Sequence, residues 1–207
     1  MDSVGHDHNH PRQSDDKIRF YYQILGQALK ELLIEKRIIS ASEIQLAMEK
    51  REAATPANGA KVVARAWLDP KYRKRLFTDA NSAAAEFGLE LPTTRLVALE
   101  NTPKIHNVVV CTLCSCYPRD LLGLPPAWYK NKAYRSRVVH EPREVLKEFG
   151  TLLPDDLEIR VHDSTADLRY LVVPMQPSGT DDLGEEVLRS LVTRDMMIGV
   201  ALADRAG

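Results

Sequence analysis

The segment Asn107-Val-Val-Val-Cys-Thr-Leu-Cys-Ser-Cys-Tyr-Pro118 joins a run of valines to a cluster of cysteines. Runs of β-branched residues are typical of strands, so this segment predicts a strand that leads directly into a functional loop. Cys111, Cys114 and Cys116 are the only cysteines among the 207 residues of the chain. Because three thiols within six residues must lie close together in space, the pattern C-x-x-C-x-C predicts a metal site or a redox centre.

Several kinds of site remain open for this cluster. A structural zinc site needs four tetrahedral ligands, and the fourth would be His106, His140 or a more distant group. An iron–sulfur cluster usually takes four cysteines at other spacings, and a redox C-x-x-C pair would leave Cys116 without a role. A loop curled into a claw would instead offer its sulfurs together with the amide nitrogens of Ser115 and Cys116. Such deprotonated amides favour a trivalent ion, and one coordination position would stay open, as in catalytic sites.

Composition and charge exclude some classes of protein. The formal net charge of −1 gives no sign of a nucleic-acid surface or of binding to an anionic membrane. No apolar run approaches the roughly 20 residues that cross a bilayer, and the N-terminus has no apolar core of a signal peptide. An odd, clustered set of cysteines is not a disulfide framework. We therefore expect a cytoplasmic protein whose thiols bind metal or undergo redox chemistry.

The rest of the chain predicts an α+β fold, in which an N-terminal helical arm precedes an α/β core that carries the cysteine loop. Periodicity and capping signals predict helices over residues 15–36, 42–52, 58–67, from 70 onward, 81–87, part of 129–139, 142–150 and 185–192, with caps at Ser42, Asn58 and Asp69. Strands are predicted over residues 95–99, 107–111, 157–161 and 169–173.

Three domains follow from this pattern of elements. Residues 1–14 form a disordered tail that contains His6, His8 and His10, residues 15–57 form the helical arm, and residues 58–207 form the metal-binding catalytic domain. The arm has an apolar stripe that either packs on another subunit or folds back on its own core.

The cysteine loop and its surroundings resemble the nitrile hydratase α subunit. The resemblance rests on Val108-Val-Val-Cys-Thr-Leu-Cys-Ser-Cys-Tyr-Pro118, Leu122-Gly-Leu-Pro-Pro-Ala-Trp-Tyr-Lys130 and Tyr134-Arg-Ser-Arg-Val-Val139, and it extends over roughly residues 59–200. Thr112 and Tyr117 are similar to the cobalt branch of the family, since the iron branch usually has Ser at the first of these positions.

This resemblance implies an enzyme that adds water to a nitrile to give the amide. It implies one Co(III) ion per chain, with Fe(III) as the alternative, held by the sulfurs of Cys111, Cys114 and Cys116 and by the amides of Ser115 and Cys116. Cys114, Ser115 and Cys116 would then be the catalytic residues, with Cys114 oxidised to a sulfinic acid and Cys116 to a sulfenic acid. Arginines of a β-type subunit would hold the added oxygens in an αβ heterodimer or a higher oligomer, and an activator metallochaperone would load the metal.

One position departs from the family pattern. Arg119 stands where most nitrile hydratases have Trp, and Arg there is a feature of the γ subunit of thiocyanate hydrolase. That enzyme lacks the intact Gly-Leu-Pro-Pro that this chain has at residues 123–126. Thiocyanate is therefore the alternative to a small nitrile as substrate, and a zinc-bound structural subunit is a third alternative.

The resemblance also assigns residues around the metal. Arg119 and Tyr117 are predicted to line the substrate pocket, although Arg119 would equally suit a subunit interface or the surface. Asp167 and Arg169 correspond to an outer-shell acidic and basic residue, unless they form a structural ion pair.

Overall fold

A computed structural model of the chain describes residues 12–203, with the side chains of residues 20–50 and 52–203. This part contains eleven helices and four strands, which confirms the predicted α+β fold. His6, His8 and His10 lie outside the described residues. None of the described helices combines the length and the apolar character that crossing a membrane requires.

The elements alternate between helices and strands after an all-helical beginning. The helices are α1 (Arg12–Glu35), α2 (Ala41–Glu52), α3 (Pro56–Leu68), α4 (Pro70–Thr78), α5 (Ala80–Ala85), α6 (Arg119–Leu122), α7 (Ala127–Lys130), α8 (Lys132–His140), α9 (Pro142–Glu148), α10 (Glu185–Leu191) and α11 (Arg194–Ile198). The strands are β1 (Arg95–Glu100), β2 (Ile105–Val110), β3 (Glu158–Asp163) and β4 (Leu168–Val173). Helices α6 and α11 are the two described helices without a counterpart in the sequence prediction.

The described part of the chain divides into two compact units, one up to residue 49 and one from residue 50 onward. In the first unit, helix α1 begins at Arg12 and leaves a row of large apolar side chains exposed. These are Phe20, Tyr21, Tyr22, Ile24, Leu25, Leu29 and Leu32. The domain boundaries at residues 14 and 57 stay predictions.

Two of the predicted helix starts are displaced from their true positions. Helix α2 is capped by Ser40 rather than Ser42: the Ser40 hydroxyl accepts from the amide of Glu43 at 3.1 Å, and the Glu43 carboxylate accepts from the amide of Ser40 at 2.7 Å. This reciprocal pair is a capping box. Helix α3 begins two residues before Asn58, whose side chain instead donates to the carbonyl of Asp120 at 3.1 Å.

The strands form two parallel pairs, β1 with β4 and β2 with β3. In the second pair Ile105 lies opposite Glu158, and Val110 lies opposite Asp163. Parallel strands need a long crossover, which here contains the cysteine loop and helices α6 to α9. Because the strands run in the same direction, the carboxyl ends of β2 and β3 meet at one edge. Strand β2 is buried along nearly its whole length, so this edge is anchored in the core.

The opposite end of β2 is packed against the residue that ends helix α11. His106 is buried, and its Nε2 donates to the carbonyl oxygen of Gly199 at 2.8 Å. Burial lowers the pKa of His106, which keeps the ring neutral. His106 is therefore a core residue and not a ligand of the cysteine cluster. Gly199 has a φ of +90°, and a Cβ there would lie 1.9 Å from the carbonyl oxygen of Asn107.

Gly199→Ala is therefore expected to destabilise the chain far more than Gly150→Ala. Gly150 is the matched control, because its φ is +82° and a Cβ there would have open space. The left-handed conformation alone costs alanine about 1 kcal/mol, and a clash with backbone adds about 1–3 kcal/mol. Chemical denaturation of the two variants measures the difference, and equal losses of stability would contradict the close packing of Gly199 on β2.

Candidate metal centre

The cysteine loop begins where strand β2 ends, and a carboxylate from β3 holds its first turn. The amide of Thr112 donates to Asp163 Oδ1 at 2.9 Å, and its hydroxyl donates to Asp163 Oδ2 at 2.5 Å. The sequence analysis missed Asp163 because the predicted strand ended at Val161, two residues too early. A longer strand in parallel register with β2 would have placed Asp163 beside the loop.

The structure brings the three predicted sulfurs together. The Sγ atoms of Cys111 and Cys114 are 3.4 Å apart, those of Cys114 and Cys116 are 3.3 Å apart, and all three lie within 4.8 Å of one another. Among the side chains of residues 20–50 and 52–203, no other trio of His, Cys, Asp or Glu ligand atoms lies this close. His140 is exposed and does not join this group.

The spacing of the sulfurs fits an ion whose neighbouring bonds are near right angles. Two sulfurs bound at about 2.3 Å are about 3.3 Å apart when the bonds are perpendicular and about 3.8 Å apart in a tetrahedron. The separations of 3.4 and 3.3 Å match the first value. Two of the three separations are therefore closer to the value for perpendicular bonds than to the tetrahedral value of a structural zinc.

The backbone of the loop also turns towards Cys114. Hydrogen bonds from the thiols of Cys116 and Cys111, and further ones from the amides of Ser115 and Cys116, lower the pKa of Cys114 to about 7. Burial and the bond to Cys114 raise the pKa of Cys116 to about 12. Cys114 therefore ionises before Cys116, and the amide N–H groups of Ser115 and Cys116 point at its sulfur.

The carbonyl oxygens of the loop point outward and are held by neighbouring side chains. The guanidinium of Arg135 donates to the carbonyl of Cys114 at 2.9 Å, and the hydroxyl of Tyr129 donates to the carbonyl of Cys116 at 2.8 Å. Both residues were quoted in the sequence analysis only as part of longer motifs, with no role. Their contacts could not be read from the sequence, because they lie 21 and 13 residues from their acceptors.

A cavity of about 170 Å³ borders the loop. The predicted pocket residues Tyr117 and Arg119 line it, and so does Arg169, which was predicted for the outer shell. Arg169 donates to the carbonyl of Tyr117 at 3.3 Å and to carbonyls of the turn between β3 and β4. Asp167 is exposed and does not line this cavity. No ion pair joins Asp167 to Arg169 in the described part of the chain.

The family described as "Nitrile hydratase, alpha chain" matches residues 21–201. The low-molecular-weight cobalt-containing nitrile hydratase subunit alpha of Rhodococcus rhodochrous is 50% identical over 178 residues, which are 85% of this chain and 86% of that one.

Two further similarities reach beyond cobalt nitrile hydratases. The thiocyanate hydrolase subunit gamma of Thiobacillus thioparus is 42% identical over 193 residues, covering 87% of this chain and 79% of that one. A solved structure of a double mutant of the Fe-type nitrile hydratase from Comamonas testosteroni Ni1 is 39% identical with a TM-score of 0.79, covering 90% and 92% of the two chains.

Alkylation of the metal-free chain tests the order in which the thiols ionise. The pKa of about 7 for Cys114 means that its thiolate fraction rises as pH rises through 7. We expect its reaction with iodoacetamide to accelerate about tenfold between pH 6 and pH 8 and then to level off. Cys116, whose pKa is about 12, should react little in this range. Peptide mapping by mass spectrometry separates the sites, and preferential labelling of Cys116 would contradict the geometry of the loop.

Proposed function

Because the chain belongs to the family of nitrile hydratase α chains, we propose that it is the metal-bearing subunit of a nitrile hydratase. The enzyme would add water across the C≡N bond of a small nitrile to give the amide. One observation carries this proposal: the three sulfurs lie within 4.8 Å of one another, and the amides of Ser115 and Cys116 donate to the sulfur of Cys114. Such a set leaves an open position for substrate, as catalytic metal sites do.

The cofactor that we propose is one Co(III) ion, with Fe(III) as the alternative. Cys111, Cys114 and Cys116 would hold it through their sulfurs, and Ser115 and Cys116 through their amide nitrogens. A trivalent ion bound there supplies a Lewis acid that polarises the nitrile. The choice of cobalt is supported by Thr112 and Tyr117 in the family pattern and by the cobalt-containing relative from Rhodococcus rhodochrous.

The exposure of the three cysteines supports the proposed pattern of oxidation. Cys114 is exposed and its pKa is lowered, so it is the sulfur most open to an oxidant and the one proposed to become a sulfinic acid. Cys116 is partly buried and is proposed to stop at the sulfenic acid. Cys111 is only 1% exposed, and it is proposed to remain a thiolate.

The protein side of the cavity would bind and orient the substrate. Arg119 and Arg169 each bring a guanidinium to the cavity, and the buried Tyr117 forms part of its wall. Arg169 is held in place by its bond to the carbonyl of Tyr117 and by the β3–β4 turn. We propose Asp167 as an outer-shell residue on the resemblance alone.

A β-type subunit is the partner that we propose, in an αβ heterodimer or a higher oligomer. Two leucines beside the loop support it: Leu113 is 89% exposed and Leu124 is 66% exposed. Large apolar side chains in such positions mark an interaction surface. The exposed apolar side chains of helix α1 offer a second contact surface. We also propose a cytoplasmic location, where the thiols stay reduced until an activator metallochaperone loads the metal.

Expression of this chain with and without its β-type partner tests the proposed function. With cobalt and the partner present, we expect conversion of a small nitrile to the amide. The chain alone should show no turnover even when it holds cobalt, because half of the site would be missing. Mass spectrometry of the loop peptide should show about three added oxygens, two on Cys114 and one on Cys116, from the oxidation ladder.

Metal analysis distinguishes this proposal from its alternatives. Growth with cobalt should give more activity than growth with iron alone, and the reverse result would assign Fe(III). Stoichiometric zinc with unmodified thiols would instead support a structural subunit. Full activity of the isolated, metal-loaded chain would contradict the shared site.

Thiocyanate hydrolysis is the second candidate function, and the two arginines at the cavity favour it. A guanidinium is always charged and donates several hydrogen bonds, so Arg119 and Arg169 suit an anion such as thiocyanate. The similarity to the thiocyanate hydrolase γ subunit is consistent with this function. Carbonyl sulfide and ammonia as products would identify it, whereas an amide would identify nitrile hydration.

Arg119→Trp in the complex with the partner subunit is expected to change substrate preference. A charge-assisted hydrogen bond is worth about 1.5–3 kcal/mol, so thiocyanate or a polar heteroaromatic nitrile should lose about ten- to a hundred-fold in kcat/KM. An aliphatic nitrile gains nothing from the guanidinium and should be unaffected or improved by the apolar wall. If all three specificity constants shift by one common factor, Arg119 does not select the substrate.

A further inference from the structure

Arg135 reaches from helix α8 to the outer side of the cysteine loop. Its Nη1 donates to the carbonyl oxygen of Cys114 at 2.9 Å and to that of Thr112 at 3.4 Å. No carboxylate pairs with Arg135 in the described part of the chain, and its Nε is buried without a partner. Nearby on the same helix, Arg137 pairs with Glu141 and Glu148. The loop carbonyls are therefore the partners that account for the position of Arg135.

The carbonyl that Arg135 holds belongs to a peptide group at the centre of the loop. In a planar trans peptide the C=O and the following N–H point in opposite directions. Holding the carbonyl of Cys114 outward therefore directs the amide of Ser115 inward, where it faces the sulfur of Cys114. The second contact fixes the carbonyl of Thr112, whose amide and hydroxyl are already held by Asp163.

The positive charge of Arg135 also stabilises the loop in its metal-bound form. Thiolates and amides bound to a metal make the loop negative, and that charge is partly delocalised onto the peptide oxygens. A guanidinium 2.9 Å from the oxygen of Cys114 offsets this charge through a charge-assisted hydrogen bond. Arg135 is half-buried, so water screens the interaction less than it would at an exposed site.

We propose that Arg135 is a positioning residue for the metal site: it orients the Ser115 amide towards the ion and stabilises the metal-loaded loop. This inference rests on the proposed function, because it assumes the five-donor site. It assigns no contact between Arg135 and the substrate. Its effect is on how firmly the metal is held.

The test compares cobalt retention in three variants of the complex with the β-type subunit. Arg135→Gln removes the positive charge, and Arg135→Lys keeps the charge but lacks the planar guanidinium with its several donors. Arg137→Gln is the control from the opposite side of helix α8. Cobalt per chain is measured after purification, and cobalt loss is followed against a chelator. The melting temperature of each metal-free chain reports on the fold itself.

We expect Arg135→Gln to lose cobalt about ten- to a hundred-fold faster than wild type, the effect of one charge-assisted bond. Arg135→Lys should lie between the two, and Arg137→Gln should retain cobalt like wild type. Wild-type retention by Arg135→Gln would overturn the proposal. So would equal losses for the Gln and Lys variants, or a fall in the metal-free melting temperature that matches the loss of cobalt. A wild-type complex that holds neither cobalt nor iron would instead refute the proposed function, which separates the two failures.

Discussion

The parallel pairing of β2 with β3 is the constraint on which the site depends. It places the carboxyl ends of both strands at one edge, so that the loop that leaves Val110 starts beside Asp163. The carboxylate then accepts both hydrogen bonds that Thr112 can donate. Since β2 is buried in the core, the first residue of the loop, Cys111, is fixed and shielded from solvent. The other two sulfurs lie on the more open part of the loop.

A second constraint is the orientation of the peptide groups in the cysteine loop. Its carbonyls face Arg135 and Tyr129, while its sulfurs and amides face one another. Helices α7 and α8 supply these two donors, and both helices belong to the crossover that parallel pairing demands. The crossover between β2 and β3 therefore also supplies the side chains that bind the outer side of the loop. This arrangement explains how a loop of six residues can present several donors to one ion.

The surroundings of the site combine charge with exposed apolar surface. Arg119 and Arg169 line the bordering cavity together with Asp120, so side chains of both charges surround it. Leu113 and Leu124 present apolar surface to solvent near the same loop. A surface of this kind is costly for an isolated chain and is consistent with a site completed by another subunit.

The sequence by itself determined the α+β class, the four strands to within a few residues and the identity of the three sulfur ligands, because these depend on local periodicity and on the spacing of six residues. It also placed the start of helix α4 at Asp69, whose side chain caps that helix. It misplaced the caps of α2 and α3 by two or three residues, since Ser, Thr and Asn are interchangeable as local signals. Only the tertiary structure decided that Asp163, Tyr129 and Arg135 hold the loop. It also decided that Arg169 binds the carbonyl of Tyr117 rather than the carboxylate of Asp167. Those contacts join residues that are 13 to 52 positions apart, and strand pairing and helix packing, rather than any local pattern, bring them together.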